Sequence, residues 1–222
     1  MQPIVKFNAE QRGSHSLFSN SMNLEQIIPK GLRSALQKSH LIGRLESGEF
    51  NGYDYGNISF CYDGRIFVSC SQTSSKLDVI IDDFALIDSY DSANFFVVYK
   101  GSKIPSSETP FHYAIYKANP EIQAVIHGHI VGDAEERTAR DYFRENNFPL
   151  TVSKSKTQKI ADEVKDLIIH TNNLKVIGML NHSGGFGLIA VGKDFNEAYQ
   201  RIMGIHGIVS RRSPANHYNT NQ

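Results

Sequence analysis

Cysteine is scarce: of 222 residues only Cys61 and Cys70 carry thiols, and no CxxC pair occurs. This excludes a disulfide framework and a thiolate zinc site, and it fits a cytoplasmic thiol state. Net charge is missing as well, with 23 basic against 23 acidic side chains. Without a global field, neither nucleic acid nor a membrane is an expected partner, and small polar molecules are. No apolar run approaches the length of a membrane span, and Met1 to Ser21 lacks the apolar core of a signal peptide, so a cytoplasmic location is expected. Asn57-Ile58-Ser59 and Asn181-His182-Ser183 match the glycan acceptor pattern, which has no consequence without export. Internal repeats and low-complexity tracts are also lacking.

What remains is a chain whose 40% apolar content suits one globular domain with a real core. Residues 1–22 read as a loosely structured lead-in, residues 23–210 as a single domain, and residues 211–222 as a polar, extended tail. Leu24 to Leu45 carries helical spacing with Lys, Arg and His on the other face. Gly56 to Phe60 and Arg65 to Cys70 read as strands joined by Asp63-Gly64, a two-residue hairpin signal, so they should pair antiparallel. Further strands are expected at Asp78 to Asp82, Ala85 to Asp88 and Asn94 to Tyr99, the last as a buried central strand. Ser106 or Ser107 should cap a helix reaching about Lys117, stopped by Asn119-Pro120, with a strand at Ile122 to His127. Helices follow at Asp133 to Asn146, Gln158 to His170 and Asp194 to Ser210, and strands at Lys175 to Leu180 and Leu188 to Val191. Early hairpins and later strand–helix alternation imply a central sheet covered by helices.

Chemistry concentrates in three places: Pro105-Ser106-Ser107-Glu108, His127-Gly128-His129 and Asn181-His182. Residues two apart in a strand share a face, so His127 and His129 can aim at one metal while Gly128 leaves the other face free for packing. A hydrogen-bonded pair of strand-end histidines is the plainer reading. Position favours the metal, because the pair ends the apolar run Ala124-Val125-Ile126, and His182 likewise follows Val176 to Leu180. Three imidazoles with an open fourth position suit catalytic zinc. Glu108 is either a carboxylate favoured at a helix start or a fourth ligand and proton-transfer base beside the metal. Ser106 and Ser107, near free N–H groups at a helix start, either cap the helix or cradle a phosphate. His112, one turn beyond Glu108, reads as an orienting or satisfied core histidine. His15, His40, His170, His206 and His217 read as surface or packing residues, and Lys76 as an exposed lysine.

Gly56-Asn57-Ile58-Ser59, Pro105 to Glu108 with Phe111-His112 and Tyr116, Ala124 to His129, Asn181-His182 and Gly187 to Tyr199 together resemble the class II aldolase/adducin family. The resemblance spans about Leu24 to Gly207. It implies an α/β fold, three-layer α/β/α with a mostly antiparallel central sheet, assembled as a homotetramer with sites between subunits. It further implies that His127, His129, His182 and Glu108 hold Zn2+, or Mn2+ or Co2+ in its place, with Glu108 as the catalytic carboxylate. Gly56, Asn57, Ser71, Gln72, Ser106 and Ser107 fall at the family's substrate-phosphate loops. The implied reaction is cleavage of a phosphorylated ketose through a metal-stabilised enediolate, or epimerisation or dehydration of a sugar phosphate on the same site. The adducin branch, a non-catalytic assembly module, lacks the metal ligands. Three departures from the family stand out. Ser69-Cys70-Ser71-Gln72 replaces a loop ending in glycine, and the stretch between His129 and His182 is short and lacks the expected proton-donor tyrosine, leaving Tyr142 and Tyr218 as candidates. The third is the extra segment Ser183-Gly184-Gly185-Phe186 after His182.

Overall fold

The hairpin at Asp63-Gly64 forms because both residues take left-handed backbone angles, φ 52° and 69°, which match the right-handed twist of the flanking strands. In the computed structural model, which describes residues 7–13, 23–46, 51–76, 79–171 and 173–214, this hairpin joins β4 (Asn57–Tyr62) to β5 (Arg65–Ser69). The other strands are β1 (Asn8–Gln11), β2 (Gly43–Arg44), β3 (Asp54–Tyr55), β6 (Phe84–Asp91), β7 (Phe96–Lys100), β8 (Ala124–Ile130), β9 (Leu150–Thr151), β10 (Val176–Met179) and β11 (Phe186–Gly192). The helices are α1 (Leu24–Ile27), α2 (Leu32–Lys38), α3 (Thr109–Ala118), α4 (Asp133–Glu145), α5 (Gln158–His170) and α6 (Phe195–Arg212).

Among the described residues nine strands make one sheet in the order β1-β7-β6-β5-β4-β8-β11-β10-β9, and β2 pairs separately with β3. β1 joins β7 in parallel at one edge and β9 joins β10 in parallel at the other, the latter because α5 supplies the crossover that a parallel neighbour needs. The sheet is therefore mixed, which corrects the expectation of a mostly antiparallel one. Side chains of successive residues leave the sheet on opposite faces, feeding two buried clusters. One gathers Ile58, Phe60, Ile126 and Leu188 under α2, α4 and α6, where Leu36, Phe143, Ala198 and Ile202 meet them. The other gathers Val68, Val125, Ile177 and Ile189 under α3 and α5, with Phe111, Ile115, Ile160 and Val164. Each fully buried Leu, Ile or Phe contributes about 1.5–3 kcal/mol, so the two clusters dominate the stability.

Several boundaries differ from expectation. The helix expected over Leu24 to Leu45 divides into α1 and α2, because Pro29 biases Ile28 to an extended conformation (φ −106°, ψ 112°) and Gly31 turns left-handed at φ 81°. Part of the lead-in, Asn8–Gln11, is ordered as a sheet strand, and positions 1–6 and 14–22 lie outside the described residues. Instead of a strand at Asp78 to Asp82 there is a 3-10 turn at Ile81–Asp83, position 78 being undescribed. β7 is not central, since among the described residues only β1 lies beyond it. Arg211 and Arg212 extend α6 rather than opening the tail, and residues 215–222 lie outside the described residues.

Candidate metal centre

β8 lies between β4 and β11, with all seven of its residues buried. Its alternation sends Val125 into the α3/α5 cluster, and His127 and His129 share that parity. On the reverse face Gly128 carries no side chain because a Cβ there would stand 3.0 Å from the Leu41 carbonyl oxygen and 3.1 Å from Ile202. The same Leu41 carbonyl accepts the His129 backbone N–H at 2.8 Å, fixing the strand against the segment after α2. Glu108 occupies the N-cap position of α3, and Pro110 sits in the first turn, where its missing N–H costs nothing. His182 follows β10 in the turn that leads to β11.

These four side chains meet. Glu108 Oε1 is 2.6 Å from His182 Nε2, and Oε2 is 3.0 Å from His127 Nε2. His127 Nε2 lies 3.2 Å from His182 Nε2 and 3.1 Å from His129 Nε2. All four side chains are buried, and their potential ligand atoms fall within 4.8 Å of one another. Tautomers follow from the opposite ring nitrogens. His127 Nδ1 faces the Leu188 carbonyl at 2.9 Å, His129 Nδ1 that of Gly184 at 3.0 Å, and His182 Nδ1 that of Ser183 at 2.9 Å. A carbonyl only accepts, so each Nδ1 donates, and a ring in its neutral form turns a bare Nε2 lone pair inward. Three lone pairs and a carboxylate then point at one spot, an arrangement that repels itself unless a cation stands among them. The donor set fits a divalent metal, and the carbonyls holding each Nδ1–H are the outer partners that orient such ligands.

Protonation agrees with this reading. Burial, reinforced by the neighbouring imidazoles, pushes His129 well below its ordinary value, and burial also lowers His182, keeping both rings neutral. Burial alone would raise Glu108, but positive charge held at His127 and His182, from a proton or a metal, outweighs it and holds the carboxyl well below the usual range.

Gly56, Asn57, Ser71, Gln72, Ser106 and Ser107 line one cleft with Glu108, His129 and His182, and His127 sits beneath. The loops are tied together: Ser106 N–H donates to the Ser69 carbonyl (3.0 Å) and Ser71 N–H to that of Ile104 (3.0 Å). Neither serine caps α3 as expected, since Glu108 is the N-cap; Ser106 Oγ instead accepts from Asn57 Nδ2 and from the Glu108 N–H in the turn before the helix, and Ser107 faces the cleft. Gln72 adopts φ 62°, the left-handed geometry that the family's glycine takes freely, and its Oε1 accepts the Asp54 N–H at 3.3 Å. The extra segment after His182 is used as well, since Gly184 supplies the carbonyl that holds His129.

Tyr142 is not in the cleft: it packs on Phe143 and Phe148 with Arg212 above its ring at 4.9 Å. Tyr218 lies outside the described residues, and Lys76 pairs with Asp83 at 2.7 Å. Sequence reasoning missed Tyr53, Tyr55, Lys156 and Ser183, all of which line the cleft. The tyrosines' adjacency to Gly56-Asn57 was an available signal. For Lys156, on a loop with φ 60°, none exists in the local sequence.

Behind the cleft His112 is fully buried, and burial pushes it down to about 3. The unfolded chain takes up this proton near 6.5 and the folded one not until about 3, so acidification below 6.5 favours unfolding. The expected cost from this one ring is about 1.4 kcal/mol per pH unit across that window. Urea unfolding of the metal-free protein at pH 7 and pH 5 should show His112→Gln losing less stability than the parent over the same interval.

Fold and donor set together define an α/β protein with a buried group of three imidazoles and one carboxylate whose ligand atoms could hold a cation. The family model for the class II aldolase and adducin N-terminal domain matches residues 44–209. The chain belongs to the class II aldolase and adducin family. Among solved structures it is similar to YgbL from Klebsiella pneumoniae, an aldolase/epimerase/decarboxylase candidate, at 15% identity and TM-score 0.61 over 91% of this chain and 94% of that one. It is also similar to L-fuculose 1-phosphate aldolase, at 15% identity and TM-score 0.57 over 92% of each chain. At such identities the likeness concerns the fold.

Proposed function

We propose that the protein is a metal-dependent lyase that cleaves a phosphorylated ketose, with His127, His129, His182 and Glu108 holding a zinc ion and Glu108 also moving the proton. The observation that carries this is the convergence of three bare Nε2 atoms on the Glu108 carboxylate, with every Nδ1 committed to a backbone carbonyl. When bound, a divalent ion supplies Lewis-acid polarisation of the substrate's carbonyl and neighbouring hydroxyl oxygens. Glu108, anchored through Asn57 Nδ2 at 2.8 Å, is placed to take or return a proton at the adjacent carbon or hydroxyl. Ser71, Ser106 and Ser107 offer hydroxyls and Gly56 lines the same cleft with its backbone; its φ of 70° and the Ile42 side chain 2.5 Å from a would-be Cβ require glycine there. Manganese or cobalt would suit the same donors.

The wider reading is a single domain over residues 23–210, three layers with the sheet between two helical faces, a cytoplasmic location and a homotetramer. The two helix-covered clusters support the layering.

A second reading keeps the metal and changes the reaction to epimerisation, dehydration or decarboxylation. Tyr142's place beneath Arg212, away from the cleft, removes one candidate donor for a cleaving reaction and leaves Tyr53, Tyr55 and Lys156 as cleft side chains for that role, and this change of donor favours keeping the second reading. Elemental mass spectrometry of the purified protein, beside a His127→Ala, His129→Ala variant, tests the shared part. Near-stoichiometric divalent metal lost in the variant supports it, and a parent without metal after incubation with zinc, manganese and cobalt overturns it. Product analysis on pentulose and hexulose phosphates then separates the reactions. Only the lyase yields a triose phosphate with an aldehyde.

A further inference from the structure

His112 and Tyr116 stand in the stretch that carries the family resemblance, yet neither lines the cleft, and both are buried behind it. Their hydrogen bonds can be assigned one after another from the carboxylate outward. Glu108 as a carboxylate only accepts, so the atom of Asn57 at 2.8 Å from its Oε2 is the amide nitrogen, which also reaches Ser106 Oγ at 3.1 Å. That leaves Asn57 Oδ1 as an acceptor for His112 Nε2, which must carry the hydrogen. A neutral imidazole protonated at Nε2 has a bare Nδ1, and this accepts from the Ser59 hydroxyl at 2.7 Å. The one hydrogen of Ser59 is then spent, so its oxygen accepts from the Tyr116 hydroxyl at 2.8 Å. Every link has one permitted direction.

We propose that Tyr116, Ser59 and His112 form a one-way hydrogen-bond chain that locks the Asn57 amide with its NH2 toward Glu108, making His112 a positioning residue for that carboxylate. A flipped Asn57 would set Oδ1 against the carboxylate and its NH2 against His112 Nε2–H, two repulsions in a buried place. His112 is held neutral by burial, so the chain keeps its direction through the physiological pH range. The role assigned to Glu108 rests on the metal-site reading, whereas the direction of the chain does not.

Long-range 1H–15N NMR of the metal-free parent, with 15N-labelled histidine and His112→Gln for assignment, reads the tautomer directly. The expected result is His112 protonated at Nε2 alone, and protonation at Nδ1 would overturn the chain whatever the metal does. Competition titration with zinc tests the positioning. His112→Phe, which lacks the donor, should bind zinc about 10-fold to 100-fold more weakly. His112→Gln, whose amide nitrogen reaches the Nε2 position, should restore affinity to within about threefold of the parent. Equal affinity for His112→Phe and the parent would sink the positioning role. A parent that binds no zinc overturns the metal reading, and the tautomer alone then decides the chain.

Discussion

Glu108→Gln is expected to lower kcat by roughly 10²-fold to 10⁴-fold, the range associated with losing a positioned proton-transfer group. Glutamine keeps the shape, and its carbonyl can still accept from Asn57 Nδ2, so the loop between Pro105 and α3 stays in place. Its amide nitrogen would face His182 Nε2, which in the native protein stands 2.6 Å from a carboxylate oxygen. A carboxyl held well below its usual range contributes stability above that range, so at pH 7 the metal-free variant should melt below the metal-free parent, and the loaded enzyme should lose turnover. Thermal melts and initial rates on the productive sugar phosphate, with zinc content measured in the same samples, check both halves. Full turnover in the variant with metal retained would remove Glu108 from the proton-transfer role.

Zinc should raise the thermal midpoint of the parent and leave the His127→Ala, His129→Ala variant within about 2 °C of its metal-free value. At a free metal concentration about 1,000 times Kd, a ligand that binds only the folded state adds about 4 kcal/mol. For a chain of this size each kcal/mol moves the midpoint by about 2–4 °C, so the parent should gain roughly 8–16 °C. The gain has a structural source. The Nε2 atoms of His127 and His129 stand 3.1 Å apart with each Nδ1 committed to a backbone carbonyl, so one cation can engage both. The double variant deletes two of the three imidazoles and with them the selectivity for a borderline metal. Scanning calorimetry on chelator-treated protein, with and without zinc, makes the comparison. An unchanged parent midpoint would refute the metal centre.

The grouping of the three imidazoles and Glu108 was more legible in the sequence than parts of the frame around them. Strand alternation alone aligns His127 with His129, and the glycine between them could be read as a packing position, which the Leu41 carbonyl at 3.0 Å bears out. His182 and Glu108 required an ordered series of motifs, because no local rule brings residues 74 positions apart within 2.6 Å. α5 was bounded correctly, being a periodic segment that Thr157 and Thr171 flank in extended conformation. The helix expected from Leu24 failed where periodicity overrode the proline at position 29. The parallel edges escaped notice because β1 and β9 are short, and pairing partners distant in sequence leave no local trace. Tyr142 was chosen by residue type, and only tertiary packing shows its ring under Arg212. Lys156 shows the reverse, a cleft residue in an unremarkable loop.

β1 gives β7 its outer neighbour, and β7 carries Phe96, Val97, Val98 and Tyr99 in succession. The region matching the family begins only at residue 44, beyond β1, α1 and α2. A recombinant fragment trimmed to that boundary would expose a bare aromatic and β-branched ladder, an invitation to edge-to-edge self-association. It would also discard Leu41, whose carbonyl receives the His129 backbone amide. Where homology stops and where the folding unit stops are different places in this chain, and solubility depends on the second.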